Sequence, residues 1–294
     1  MTPLVIVNPV AGRSRGAKLR QTALAFLKSQ TAGDVVETRA PGHATELASS
    51  AAAAGRETVL VVGGDGTWRE AAAGLAGTPT ALGLIPVGSG NDLCRTLEIP
   101  RDIRAACRVA LAGNPRRLDA VRLQATGLDT IFINAAGFGF DAAVVAEATK
   151  LKRLRGLPLY LAAVMRAVRN YDCPETVVQT PEQEWRKPLL LVAAANGKFY
   201  GGGMKMAPAA EPDDGRLEIC IIDAASRWRI YQCLPRFVSG THLGLPEVTM
   251  VRSRSVVIET HAGMPVQLDG DLLDSGGATR YELTVLPGAL TVRA

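Results

Sequence analysis

The sequence predicts two joined parts: an N-terminal doubly wound, three-layer α/β domain and a C-terminal antiparallel β-sandwich domain. Three observations carry that expectation. Short apolar runs, Leu4-Val-Ile-Val7, Val59-Leu-Val-Val62 and Ala81-Leu-Gly-Leu-Ile85, alternate with helical stretches, as parallel strands covered on both faces do. Each of these runs leads into a glycine-containing turn, and in an open parallel sheet such turns gather on the carboxyl rim where ligands bind. Beyond residue 170 the strands follow one another with alternating apolar and polar residues, as in Leu217-Glu-Ile-Cys-Ile221 and Arg280-Tyr-Glu-Leu-Thr-Val285. That alternation marks antiparallel strands with one wet face.

In order, the strand Leu4–Val7 opens into Asn8-Pro9-Val10-Ala11-Gly12-Arg13-Ser14-Arg15-Gly16, a loop whose two arginines could face phosphate oxygens or simply solvent. Ala17 to Ser29 has helical spacing, with Leu19, Ala23, Phe26 and Leu27 on one side. Val35 to Thr38 reads as a short strand, and Ala44 to Ala54 as an alanine-rich helix stopped by Gly55. The centre of the chain is Thr58 to Glu70: a buried strand, the turn Gly63-Gly-Asp-Gly66, then a helix to Ala76 with Thr67 as its expected N-cap. Glycines without Cβ atoms let a phosphate approach the backbone N–H groups there, and Asp65 is held where the Mg²⁺ of a nucleotide would lie. A tight turn with a solvated Asp would use the same residues.

A third loop, Pro86-Val-Gly-Ser-Gly-Asn-Asp92, follows the next strand and leads into a helix from Leu93. After Pro115 the pattern changes, with strands over Leu118–Leu123 and Thr130–Asn134, after which Ala135 to Asp141 leads into a helix to Thr149. Further strands are expected over 177–180, 188–195, 216–222, 248–260, 264–269 and 281–286, with one helix over 226–239. The predicted division is 1–125, with a C-terminal return over 286–294, and 126–285.

With 294 residues, 47% hydrophobic and 21% charged, the chain is long and apolar enough for a full core. Its net charge of +5 favours anionic partners. Five widely spaced cysteines and three histidines form no metal-binding spacing, which points to reduced thiols and a cytoplasmic setting. Met1-Thr2-Pro3 leads straight into a strand, so no signal peptide is expected. The segment Lys150 to Arg169 is basic, free of acidic residues and apolar at its centre. It reads either as a core-packed helix with solvated arginines or as a peripheral docking element on anionic phospholipid. Basic residues are not interleaved with aromatics, so nucleic acid is not an expected partner.

Taken together, Asn8-Pro9 with Gly12 and Gly16, Gly63-Gly-Asp-Gly-Thr67, Pro86 to Asp92, Phe132-Ile-Asn134 with Gly137-Phe-Gly139, Pro208 to Leu217 and Leu268-Asp-Gly-Asp271 run nearly end to end. This set resembles the diacylglycerol-kinase catalytic-domain family, in particular the bacterial lipid kinases related to sphingosine and ceramide kinases. The Gly-Gly-Asp-Gly-Thr core is shared with NAD kinases and phosphofructokinases, whose three-layer fold the resemblance implies for the first domain. It further implies an ATP- and Mg²⁺-dependent kinase acting on a lipid hydroxyl, diacylglycerol first, at an anionic membrane surface to which the protein attaches peripherally. A homodimer is among the assemblies expected.

By the same resemblance ATP would lie across Asn8, Thr38, Gly64, Asp65, Gly66, Thr67, Glu70 and Ser89, the last standing where the family usually has Thr. Asp65, Asp92 and Asp119 look like the family's carboxylates around the catalytic Mg²⁺. Asp269 and Asp271 would supply the base, with Asp271 in place of the usual Glu. Glu211, Asp214 and Arg216 resemble a loop that holds a second, structural Mg²⁺ through the Asp214 side chain and two carbonyls. A soluble-metabolite kinase of the NAD kinase type, or a non-catalytic nucleotide-responsive lipid-binding regulator, would share many of these residues.

Overall fold

The computed structural model describes residues 2–151, 156–260 and 263–294. Its first half is β1 (Leu4–Val7), α1 (Arg13–Gln30), β2 (Asp34–Glu37), α2 (His43–Ala53), β3 (Thr58–Gly63), α3 (Asp65–Leu75), β4 (Ala81–Pro86), α4 (Asp92–Thr96) and α5 (Ile103–Ala112). The strands pair in parallel in the order β4-β3-β1-β2. Because successive strand residues face opposite ways, Leu4, Ile6, Val59 and Val61 pack against α2 and α3. Val5, Val7, Leu60 and Val62 pack against α1 and α5 on the other side. Three layers result.

The second half contains β5 (Pro115–Ala125), β6 (Leu128–Phe132), β7 (Ala135–Gly139), α6 (Phe140–Lys150), α7 (Gly156–Asn170), β8 (Glu175–Gln179) and β9 (Glu184–Ala195). It continues through β10 (Leu217–Asp223), α8 (Arg227–Ser239), a 3₁₀ turn over Thr241–Gly244, β11 (Val248–Ser253), β12 (Ser255–Thr260), β13 (Val266–Leu268), β14 (Asp271–Leu273) and β15 (Arg280–Arg293). Apart from the last residues of β15, these strands pair antiparallel. Phe138, Val192, Ile219, Ile258 and Tyr281 fill the space between the sheet faces. The outer face of β9 and β10 is covered by α6, α7 and α8, through Val144, Ala163, Val164 and Ile230.

Two strands join the halves. β15 pairs with β12 near its start, and its end at Thr291–Arg293 runs parallel to Ala81–Gly83 of β4. β5 pairs antiparallel along both stretches of β15, with a register shift between Leu286 and Leu290. The alternation that made 280–285 legible breaks at this shift, which hides the continuity of the strand.

Several elements differ from the sequence reading. α1 begins at Arg13, so Arg13 and Arg15 stand in a helix; their side chains lie outside the described residues. Thr67 is no N-cap: α3 begins at Asp65 after Gly64, and the Thr67 hydroxyl accepts a hydrogen bond from Asn8 Nδ2 at 2.8 Å. Ala135–Gly139, to which the sequence assigned no element, is a fully buried strand, its small residues fitting beside β9 and β13. The run 248–260 is two strands separated at Arg254. Lys152, Arg153 and Arg155 of the basic segment lie outside the described residues. All five cysteines are free, and no described helix is long and apolar enough to cross a membrane.

Candidate active site

The site begins where three parallel strands end. The loop after β1, the turn after β3 and the loop after β4 meet on one rim. A Cβ on Gly12 would stand 1.9 Å from the Val87 carbonyl oxygen, and one on Gly64 would stand 3.0 Å from Gly88 Cα. Backbone approaches backbone here, and Gly12, at φ +67°, has the left-handed conformation that L side chains resist. Asn8 ties two of these loops through Thr67, while its Oδ1 accepts from Val10 N.

Asp65 opens α3 on this rim, and its two oxygens accept the N–H groups of Asn91, at 2.6 Å, and Asp92, at 2.8 Å. Burial and the Asp92 carboxylate, with a smaller push from Asp269, raise the Asp65 carboxyl to about 7 against those two amides. The Asp92 carboxyl is raised as well, by burial, against the Gly202 N–H at 2.7 Å and Arg95. Asp65 Oδ2 and Asp92 Oδ2 lie 2.7 and 3.6 Å from the point a Cβ on Gly90 would occupy, so both carboxylates converge beneath one glycine. Asp92 Oδ1 is buried and makes no hydrogen bond, with the Arg95 guanidinium 3.4 Å away. Two converging carboxylates suit Mg²⁺, which takes one or two carboxylates together with substrate phosphates.

Facing this rim is the hairpin of β13 and β14. Asp269, at φ 49°, and Gly270, at φ 90°, make its two-residue turn, in the left-handed conformations that tight hairpins favour. The buried Asp269 carboxylate accepts three amides: Asn134 N at 3.0 Å and Ala135 N at 2.8 Å on Oδ1, and Ile133 N at 3.1 Å on Oδ2. Burial raises its carboxyl above the usual range, against those amides and Arg69. Asp271 points elsewhere: its Oδ2 lies 2.0 Å from where a Cβ on Gly66 would stand and 3.6 Å from Arg69 Nη2. Arg69, one turn along α3 from Asp65, thus stands between the two acidic groups with its Nε buried and unpartnered.

An apolar cavity of about 220 Å³ adjoins the hairpin. Phe140 and Val144 of α6, Leu191 and Ile222 of the sheet, and Ile230 and Phe237 of α8 form its walls, while Asp141, Tyr200, Gln267 and Gly270 form its polar end. Gln267 Nε2 donates to the Tyr200 hydroxyl and, at 3.3 Å, to Asp141 Oδ2, while Gln267 Oε1 accepts from Gly270 N at 2.8 Å. Burial pushes the Asp141 carboxyl up to about 7, and its Oδ1 has no partner. At the end of an apolar cavity such a carboxyl accepts a hydrogen bond from a hydroxyl and, when protonated, can also donate one.

The remaining expected residues fall in three places. Glu70 Oε2 accepts from Ala44 N at 3.3 Å and pins α3 to α2, Thr38 N donates to Val7 O at 2.8 Å, and Ser89 is exposed on the loop after β4. Asp119 does not join Asp65 and Asp92. Its Oδ2 accepts from Gly215 N at 2.6 Å and its Oδ1 from Gly288 N at 2.7 Å, so it staples the 211–216 loop to the shift in β15. In that loop the Asp214 carboxylate is taken by Arg252 and by Arg216 N at 2.9 Å, and Glu211 by Lys198 Nζ at 3.1 Å. The side chain expected to hold a second metal, Asp214, is thus paired with a cation in this structure. Asp141, Gln267, Tyr200 and Arg69 had no role in the sequence reading. The spacing of Arg69 from Asp65, i to i+4 on one helix, was the available signal.

Known proteins carry the same architecture. A model of the diacylglycerol kinase catalytic domain matches residues 2–123, and one of the YegS C-terminal NAD kinase beta sandwich-like domain matches residues 134–294. A "Diacylglycerol kinase" of Mycobacterium tuberculosis is 32% identical over 292 residues, covering 98% of this chain and 93% of that protein. The chain belongs to the diacylglycerol kinase catalytic-domain family. A "Probable lipid kinase YegS-like" of Chromohalobacter salexigens is 34% identical over 262 residues, covering 86% of this chain and 81% of the relative. In fold, the crystal structure of a diacylglycerol kinase from Bacillus anthracis str. Sterne matches with a TM-score of 0.72 at 22% identity, over 99% of this chain and 96% of that one. Family membership makes the chain a kinase of mixed α/β and β-sandwich architecture.

Proposed function

We propose that the protein is a lipid kinase that transfers the γ-phosphate of ATP, with Mg²⁺, to a lipid hydroxyl, most simply that of diacylglycerol. One observation carries the reading. The turn Asp269-Gly270-Asp271 is shared by both sides of the site: Asp269 acts electrostatically on Asp65, Asp271 sits against Gly66, and Gly270 lines the apolar cavity. A donor rim of carboxylates and glycines and an acceptor cavity of apolar side chains therefore meet at one turn. The names of the relatives, diacylglycerol kinase and YegS-like lipid kinase, support the same reading. On this reading residues 1–125 and 286–294 would hold the nucleotide and 126–285 the acceptor.

Phosphoryl transfer asks for position and charge neutralisation more than covalent chemistry. Asp65 and Asp92 would hold Mg²⁺, which when bound neutralises phosphate charge; the N–H groups of the Gly64 to Thr67 turn would face the phosphates, with Asn8 and Ser89 beside them. Asp269 is the base. Its Oδ2 accepts a single amide, which leaves a lone pair for the acceptor's proton, and burial raises its carboxyl toward the range where a general base works best. The three amides fix its orientation. Arg69, four residues after Asp65 on α3 and 3.6 Å from Asp271, would offer its unpartnered Nε to the transferring phosphoryl group. Asp141, Gln267 and Tyr200 would hold the polar end of the lipid, and the walls between α6 and α8 its chains.

The protein would act at an anionic membrane surface, peripherally attached and in the cytoplasm. The test is incubation of the purified protein with Mg²⁺, γ-labelled ATP and micelles holding diacylglycerol, phosphatidylglycerol or a sphingoid base, with NAD and other soluble metabolites in parallel. Label in the organic phase supports the reading and names the acceptor. Label confined to soluble products would support a metabolite kinase, and ATP binding with no transfer a regulator.

A further inference from the structure

Helix α8 has two faces of different character. Ile230, Cys233, Leu234 and Phe237 point inward as a wall of the apolar cavity. Opposite that wall Trp228, Gln232 and Pro235 are exposed, with Arg227 and Val238 exposed on one flank of the helix and Arg236 on the other. Trp228 is 70% exposed and Val238 59%, with Leu243 just beyond the helix at 42%. Single exposed apolar side chains are ordinary, but an exposed Trp among other apolar residues on one helix asks for a partner.

Charge selects the partner. The helix contains Arg227, Arg229 and Arg236 and no acidic residue. Arg229 is held by Glu247 through two hydrogen bonds, whereas Arg227 and Arg236 face outward. Arg227 Nη2 donates to the Arg169 carbonyl at 3.0 Å, which brings the end of α7 alongside, with Met165 62% exposed and Arg166 and Arg169 exposed beside it. A two-fold pairing of this face with a second copy would bring arginines against arginines. A bilayer with anionic headgroups satisfies both parts: Trp and aliphatic side chains enter the interface, and the guanidinium groups meet phosphates.

We infer that the outer face of α8, extended by the end of α7, is the surface that lies on an anionic phospholipid bilayer. The inner face of the same helix is a wall of the acceptor cavity, so docking sets the cavity against its source of substrate. The helix is also suited to yield, since Pro235 within it lacks an N–H and the ladder is one hydrogen bond short there. The docking claim rests on the lipid-kinase reading only for what enters the cavity; vesicle binding itself requires no turnover.

The test uses the full-length protein with vesicles of phosphatidylcholine alone or mixed with phosphatidylglycerol, without ATP. Trp68 is fully buried and Trp185 half-buried, so Trp228 reports contact with lipid. Sedimentation with the phosphatidylglycerol vesicles and a blue shift of Trp emission that Trp228→Phe abolishes are expected. The double variant Arg227→Ala, Arg236→Ala should bind these vesicles roughly thirtyfold more weakly, at the usual contribution of one basic side chain near an anionic surface. Phosphorylation of a micelle-dispersed short-chain lipid should be unchanged in that variant and phosphorylation of vesicle-embedded lipid should fall. Binding with no blue shift, binding indifferent to both arginines, or self-association that buries Trp228 would overturn the inference. If vesicles bind through Trp228 while no lipid is ever phosphorylated, the docking surface stands and the lipid-kinase reading fails.

Discussion

Replacing Asp141 with Asn tests whether the carboxyl at the end of the apolar cavity is held neutral by burial. Its value of about 7 stands against an ordinary 3.8, and at 1.36 kcal/mol per unit the gap is about 4 kcal/mol against ionisation in the folded chain. Between those two values the folded chain holds a proton that the unfolded chain has lost. Stability therefore falls as pH rises through this window, and the whole cost is present above pH 7. Asn has the same shape, keeps an acceptor oxygen and cannot ionise, so its advantage over Asp should grow with pH. Two of the roughly three units lie between pH 5 and pH 7, worth about 2.7 kcal/mol. If half survives local relaxation, the advantage of the variant grows by about 1.4 kcal/mol, or about 2 °C in Tm for a chain of this length. Thermal unfolding of both proteins followed by circular dichroism at pH 5 and pH 8, at one ionic strength, reads the difference directly. Asp65 is raised in the same range but is common to both and cancels. An advantage of equal size at the two pH values, or one that shrinks as pH rises, would refute the reasoning.

Other expected outcomes concern the remaining carboxylates. Asp65→Asn should lower transfer at least a hundredfold, as loss of an electrostatic partner of the reacting phosphate does, with an unchanged circular dichroism spectrum; normal turnover would remove Asp65 from the mechanism. Asp269→Asn should lower kcat by about 10²–10⁴, the usual contribution of a general base. Asp269→Ala should in addition cost about 3 kcal/mol or more, because three buried amides lose their acceptor. Asp271→Asn, on the exposed side of the hairpin, should cost less activity than Asp269→Asn, and the reverse order in a steady-state assay would exchange their roles. Asp119→Ala should lower the urea midpoint, since Gly215 N and Gly288 N lose their acceptor, while leaving the Mg²⁺ dependence of transfer as it was. A shifted Mg²⁺ dependence would return Asp119 to the metal site.

The two-part architecture was legible because its signals are local. Continuous apolar runs ending in glycines gave the parallel strands, and alternation in 217–221 and 280–285 gave the antiparallel pairing; only 280–285 has the expected wet face, because in 217–221 the outer face is buried under α6, α7 and α8. Ala135–Gly139 escaped because a strand of Ala and Gly has no β-branched signature and owes its place to β9 and β13. The donor rim was legible for the same local reason: Gly64, Asp65, Gly66 and Thr67 are contiguous. The family pattern named Asp269 and Asp271, but only the turn geometry separates the buried, amide-held carboxylate from the exposed one beside Arg69. Asp119 and Asp214 were offered as metal ligands by the resemblance alone, and a carboxylate in sequence carries no sign of the amides or guanidinium that pair with it here. Asp141 and Gln267 lie 126 residues apart, and their convergence on one cavity has no trace in either segment.

The account stands on one geometric claim, that the nucleotide and the lipid meet at the turn of Asp269, Gly270 and Asp271. The measurement that tests it most directly is a crystal structure of the protein with Mg²⁺, a non-hydrolysable ATP analogue and a short-chain diacylglycerol. The account predicts the γ-phosphate between Asp65 and Arg69, and the lipid hydroxyl within about 2.6–3.2 Å of Asp269 Oδ2 and in line with it, with the acyl chains between α6 and α8. A lipid bound away from that cavity, or a hydroxyl with no path to Asp269, would contradict it.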